Sequence, residues 1–154
     1  MDDPTPYSNP VAILFDEVIR TQGRVRSAFA DVNAAIGLSS MEATVLTAIV
    51  GARSAPTVPQ IGRSLSHPRQ VIQRAATTLI AAGLVEAQSN PDHKRAPLLV
   101  ATASGRALKA EADQRARSVT DALLQQVDAE ECLRMAADLR RLRGVLEAHT
   151  KSGG

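Results

Sequence analysis

Residues 66–102 read SHPRQVIQRAATTLIAAGLVEAQSNPDHKRAPLLVAT. Pro68 suits the first turn of a helix, where its missing N–H costs nothing, and Ser66 or His67 can cap that turn. Val71, Ile72, Ala75, Leu79 and Ile80 follow at threes and fours, which predicts a helix buried along one side. Gly83 is its stop. Leu84–Gln88 and Leu98–Ala101 are short apolar runs around SNPDHKRAP, a polar turn with two prolines. They predict a two-stranded hairpin. The helix carries Arg69, Gln70, Gln73 and Arg74 at its leading end, and positions 70, 73 and 74 share the side opposite the apolar stripe by their i, i+3, i+4 spacing.

Guanidinium and carboxamide groups each make paired hydrogen bonds, to guanine and adenine respectively, so this leading end suits the base edges of a DNA major groove. The hairpin tip, with Lys94 and Arg95, suits a second contact on the phosphate backbone or in the minor groove. Arg63, Ser66 and His67 flank the helix and are candidates for phosphate contact. Charge follows the same division. Between residues 51 and 106 seven cations face two anions, a net +5, and the remainder of the chain carries −3 although the whole is only +2. A basic middle between mildly acidic ends is an electrostatic footprint for a polyanion; the competing reading is a chance cluster of solvated arginines.

Outward from this stretch, prolines set the organisation. All eight lie at positions 4, 6, 10, 56, 59, 68, 91 and 97, which leaves 11–55 and 98–154 open to long helices. Val11, Phe15, Val18, Val25, Phe29, Val32 and Ile36 form a heptad-like stripe with Gln22 in the missing place, predicting one helix over about residues 10–35 that Gly37 stops. Ser39 or Ser40 caps a second helix that buries Val45, Leu46, Ile49 and Val50. Thr57-Val-Pro-Gln60 has the form of a capping box opening a short helix to Leu65. Thr102 caps a long helix to about Val127. Asp128-Ala-Glu-Glu131 has the form of a second capping box, opening a last helix with Cys132, Met135, Leu139, Leu142, Leu146 and His149 spaced by threes and fours.

Four helices, a hairpin and two more helices make a mainly α chain with a small β wing, in the layout of a winged helix-turn-helix. The outer helices carry more apolar stripe than such a core can cover. This predicts packing against a second copy in a two-fold homodimer; folding back on the same chain as a helical bundle is the alternative. The divisions expected are a flexible 1–9, a dimerisation region of 10–37 and 103–150, a DNA-binding lobe of 38–102, and a disordered tail of 151–154.

At 154 residues with 44% hydrophobic content and only Tyr7, Phe15 and Phe29 aromatic, alanine and leucine must do most of the packing. One cysteine excludes an intrachain disulfide framework. MDDPTPYSNP lacks the basic and apolar regions of a secretory signal, and no apolar run approaches a membrane span, so a cytoplasmic chain without membrane partners is expected. The histidines at 67, 93 and 149 lack metal-ligand spacing. Neither a nucleophile–base pair nor a phosphate-cradling glycine loop is present, so no cofactor and no enzymatic activity are expected.

Four segments in order resemble the MarR family of bacterial transcriptional regulators: LSSMEATVLTAI (38–49), TVPQIGRSL (57–65), RQVIQRAATTLIAAGLVE (69–86) and DHKRAPLLVATASGR (92–106). The resemblance implies a homodimer that places each recognition helix (Arg69, Gln70, Gln73, Arg74) in a major groove of a pseudo-palindromic operator, most simply as a repressor. It implies that Arg95 is the wing arginine and Asp92 the acid that holds it, here three residues apart rather than two, with Lys94 between. It also implies release by a small aromatic or anionic effector bound between the lobe and the dimerisation helices, in a pocket whose walls here would be mainly aliphatic. Ala87 departs from the family pattern, standing where a basic residue often follows GLVE. Some family members sense oxidants through a cysteine, but Cys132 lies on an apolar stripe with no second cysteine to resolve it, and a buried structural thiol is expected. Two other readings compete: a helical module for an acidic protein partner, and a ligand or oxidant sensor without DNA binding.

Overall fold

The structure is a computed structural model and describes residues 9–152. The expectations for residues 1–8 and 153–154 lie outside the described residues. The elements are α1 (Pro10–Ala28), α2 (Ala30–Ala35), α3 (Ser40–Gly51), α4 (Val58–Leu65), α5 (Arg69–Ala81), β1 (Val85–Gln88), β2 (Leu98–Ala101), α6 (Ala103–Leu124) and α7 (Ala129–Ser152). The chain forms two compact units that meet in sequence after Ala116.

The helix starts follow local chemistry. Asn9 caps α1, its Oδ1 accepting from Val11 N–H at 2.8 Å. Ser39 and Glu42 close one reciprocal capping box and Thr57 and Gln60 another, each satisfying first-turn N–H groups that lack a partner within the helix. Two expectations needed correction here. The single helix over 10–35 is two, because Phe29 leaves helical geometry at φ −102°, ψ 3°. Past that break the apolar stripe changes partner: Val32 and Ile36 are buried in the chain's own core, whereas Val11 and Val25 stay exposed. At the other end α7 takes in Lys151 and Ser152, contrary to the expectation of a disordered 151–154, since nothing there breaks a helix before the glycines.

The core gathers α3, α4, α5 and the hairpin. Val45, Leu46, Ile61, Ile72, Leu79, Val85 and Leu99 are its fully buried large side chains. On α5 the inner side is Ile72, Ala75, Ala76 and Leu79, the i, i+3, i+4, i+7 pattern of one helix face. Val71 and Ile80 flank that face and are exposed at 37% and 38%, contrary to the expectation that both are buried. The strands pair antiparallel from Val85↔Ala101 to Gln88↔Leu98. Leu99 and Ala101 point inward from β2 while Leu98 and Val100 are only half-buried, as the two-residue period of a strand requires.

Two junctions hold the hairpin to its neighbours. Leu99 N–H donates to the Pro56 carbonyl at 2.8 Å, in the loop before α4. Thr102 closes the other: its Oγ1 donates to Gly83 O at 2.7 Å, its N–H donates to Leu84 O at 3.0 Å, and Gly105 N–H donates back to Oγ1 at 3.1 Å. Gly105 is buried against Leu84, and a β-carbon there would lie 2.9 Å from the Leu84 carbonyl carbon and still closer to its oxygen.

The second unit comprises the end of α6 and α7. Within it Val119, Cys132 and Leu142 are half-buried and the other described side chains are exposed, among them Leu133 at 71% and Val145 at 61%. Cys132 is thus partly open in the single chain rather than buried.

Candidate nucleic-acid interface

The turn between α4 and α5 decides how the second helix is presented. Ser66 takes the left-handed conformation, φ 53°, ψ 41°, and His67 N–H donates to Gly62 O at 2.9 Å. Gly62 eases this approach, since a β-carbon there would sit 3.1 Å from His67 O, tighter than ordinary contact. Ser66 therefore ends α4 instead of capping α5. Pro68 itself occupies the N-cap position, so no side chain caps α5. Its carbonyl accepts from Val71 N–H (3.0 Å) and Ile72 N–H (3.3 Å), and the first N–H groups of α5 have no intrahelical acceptor.

Arg69, Gln70, Gln73 and Arg74 are all exposed on α5. Gln70 and Arg74 lie on the side away from Ile72 and Ala76, with Gln73 beside them. Sequence reading missed Thr77, whose i+3 spacing from Arg74 and i+7 from Gln70 was the available signal. Thr77 is exposed; its Oγ1 donates to Gln73 O at 2.9 Å and accepts from Gln73 Nε2 at 3.5 Å. Arg63, Ser66 and His67 are exposed along α4 and the turn.

At the hairpin tip Asp92, His93, Lys94 and Arg95 are exposed. The carboxylate clamp expected between Asp92 and Arg95 is not formed: among the described residues no ion pair joins them. The tip is organised by Asn90 instead, which sequence reading passed over. Among the described residues the ion pairs lie on α1, α6 and α7. Arg53, Arg63, Arg69, Arg74, Lys94 and Arg95 have none. Six cations without a carboxylate partner among the described residues give this lobe a net positive potential. Arg106, counted with them by sequence, is a structural group whose Nη1 donates to Ala101 O at 2.6 Å.

A cavity of about 1020 Å³ opens in the first unit. Phe29 is the one aromatic side chain among the apolar residues lining it, which include Val25, Val32, Ile36, Met41 and Leu65. Its polar groups include Arg26, Asn33, His67 and the ion-paired Lys109 and Asp113. No pocket residue was legible beforehand, because Val25, Phe29, Val32 and Ile36 read as a dimerisation stripe. Among the described residues no cluster of His, Cys, Asp or Glu is placed to hold a metal ion, and no single helix is long and apolar enough to cross a membrane.

A three-helix core that turns one exposed polar helix outward beside a two-stranded wing is a winged helix-turn-helix fold. The chain belongs to the MarR family of transcription regulators: the MarR family model matches residues 36–96. Uncharacterized proteins of Mycobacterium tuberculosis and Mycobacterium bovis are each 34% identical over 141 residues, covering 92% of this chain and 97% of theirs. Among solved structures, a MarR family transcriptional regulator from Rhodococcus sp. RHA1 superposes with a TM-score of 0.78 at 19% identity, over 87% of this chain and 94% of that one. A mutant MarR from E. coli complexed with operator DNA gives 0.73 at 21%, over 92% and 99%. CouR from Rhodococcus jostii RHA1 bound to p-coumaroyl-CoA gives 0.73 at 20%, over 88% and 92%.

Proposed function

We propose that this protein is a sequence-specific repressor that binds a pseudo-palindromic operator as a homodimer and is released by a small ligand. The observation that carries the reading is α5: its outward side presents Gln70, Gln73, Arg74 and Thr77, its inward side is sealed into the core, and the cations around it have no carboxylate partners. The uncapped first turn of α5 offers N–H groups that a DNA phosphate can accept. Arg63, Ser66, His67, Lys94 and Arg95 extend the same surface as phosphate contacts. The solved complex of a MarR mutant with operator DNA supports the docking mode by likeness of fold.

The dimer is supported by apolar side chains left uncovered on the outer helices, among them Ile19 at 66% and Leu133 at 71% exposure. Exposed apolar side chains in such number on each of these helices support an association face. Sedimentation velocity is expected to give a two-chain species at micromolar concentration; a monomer would remove the two-fold operator. The cavity is the effector site of this reading, fit for a largely apolar molecule with an anionic group toward Arg26 or Lys109. Ligand binding there favours a chain conformation with weaker operator affinity.

The test is fluorescence anisotropy against the intergenic duplex upstream of the protein's own gene and a scrambled duplex of equal length, over a salt series. Strong preference for the native duplex is expected. Arg74→Ala is expected to lose roughly 1–3 kcal/mol on the native duplex and much less on the scramble, as for a residue that reads a base. Equal, steeply salt-dependent binding to both duplexes would leave only phosphate contact and bring the protein-interaction reading forward.

A further inference from the structure

The inference rests on the DNA-binding reading and concerns how the wing is held. We infer that Asn90 is the positioning residue of the wing, fixing where Lys94 and Arg95 meet DNA in place of a carboxylate on the arginine. Asn90 is 8% exposed, and only Thr57 is otherwise buried among the described polar and charged residues. A buried carboxamide needs its hydrogen bonds, and these determine what it organises. Nδ2 donates to Ala96 O at 2.8 Å and Oδ1 accepts from Asp92 N–H at 3.0 Å. The Asn90 carbonyl accepts from His93 N–H at 3.3 Å, and Ala96 N–H donates to His93 O at 3.0 Å. One side chain thus ties both ends of the turn and brackets Lys94 and Arg95 between its two bonds.

Asp92 contributes to this arrangement through its backbone N–H. Its carboxylate is exposed and pairs with no cation, so near DNA it acts only as a like charge facing the phosphates. A turn ordered before binding loses less conformational freedom on contact than a loose one. Asn90 therefore sets the affinity of the wing without touching DNA, and Asp92 opposes it.

The full-length protein and its variants are titrated onto a fluorescein-labelled mixed-sequence duplex across a salt series, with melting temperature measured alongside. Asn90→Ala is expected to reduce the slope of log affinity against log salt by about 1–2, the change due when one or two phosphate contacts are lost. The double variant Lys94→Ala/Arg95→Ala is expected to show the same reduction, and adding Asn90→Ala to it to change the slope no further. Asp92→Ala is expected to keep the wild-type slope and to bind as tightly or more tightly. Should Asn90→Ala fail to fold, Asn90→Asp keeps the acceptor for Asp92 N–H, removes the donor to Ala96, and is expected to lower the slope likewise. An unchanged slope in the Asn90 variant overturns the inference, whatever its melting temperature. So does a slope that falls further when Asn90→Ala joins the double variant, or a loss in Asp92→Ala equal to that in Asn90→Ala. Wild-type protein that fails to bind the duplex sinks the DNA-binding reading with it, whereas wild-type binding with an unaffected Asn90 variant sinks this inference alone.

Discussion

Gly105→Ala is expected to destabilise the first unit by about 3 kcal/mol or more, lowering the melting temperature by roughly 6–12 °C for a chain of this size. The added methyl group meets backbone, the Leu84 carbonyl, and not a side chain that can rotate away. Neither partner can retreat. Leu84 O already accepts the Thr102 N–H, and Thr102 is held in turn through Gly83 O and Gly105 N–H. Relief therefore means prising the start of α6 off the start of β1, which breaks the Thr102 bonds and draws Val85 out of the core. Urea unfolding followed by circular dichroism measures it; a loss below about 1 kcal/mol would mean that the junction slides easily and that the glycine is a convenience.

The second large effect is expected at Ile72, which is fully buried on the inner side of α5. Its Cγ1 lies 3.8 Å from where a β-carbon on Gly62 would be, so it packs where α4 gives way to the turn. Ile72→Ala is expected to cost about 2–5 kcal/mol, the removed methyl groups plus the cavity they leave. DNA affinity should fall with it, because Gln70 and Arg74 stand on the opposite side of the same helical turns and move when it settles inward. Denaturant unfolding checks the first part and anisotropy below the unfolding transition the second. Ile72→Val, which removes a single methyl group, is expected to cost about 0.5–1.5 kcal/mol and to leave affinity nearly intact. An alanine variant as stable as wild type would mean that α5 is held by its ends.

How much of this was legible in the sequence depended on how local the cause is. The cap at Ser39 or Ser40, the capping box at Thr57, and the glycine stops at 37 and 83 were readable because each is decided by residues within four positions of one another. The hairpin around residues 89–97 was readable by its polar, proline-bounded turn. The reciprocal partner Glu42 of the Ser39 box was not singled out. The inner side of α5 was readable as a period, but its width was not. Val71 and Ile80 look as apolar as Ile72, and only the neighbouring elements decide which of them is covered. The break at Phe29 left no proline or glycine as a sign, since it follows from where Val32 and Ile36 find partners. The α4–α5 turn was misjudged for a similar reason. A capping serine and a serine closing the preceding helix in the left-handed region look alike until Gly62 brings His67 close. At the wing, attention to charge favoured Asp92 and hid Asn90, an uncharged residue whose role depends on being buried.

The bond from Leu99 to Pro56 and the Thr102 junction have a consequence for selectivity beyond direct contact. Together they tie the hairpin to the helical core, so on the DNA-binding reading the gap between α5 and the wing tip acts as a set span, like the jaws of a gauge. A duplex entering that span must adopt the groove width it sets. The energy of doing so depends on how stiff each base step is, including steps that no side chain touches. On the proposed DNA-binding reading, rigidity in such a lobe is itself a form of sequence reading, and pliable base steps favour binding alongside any direct base contact.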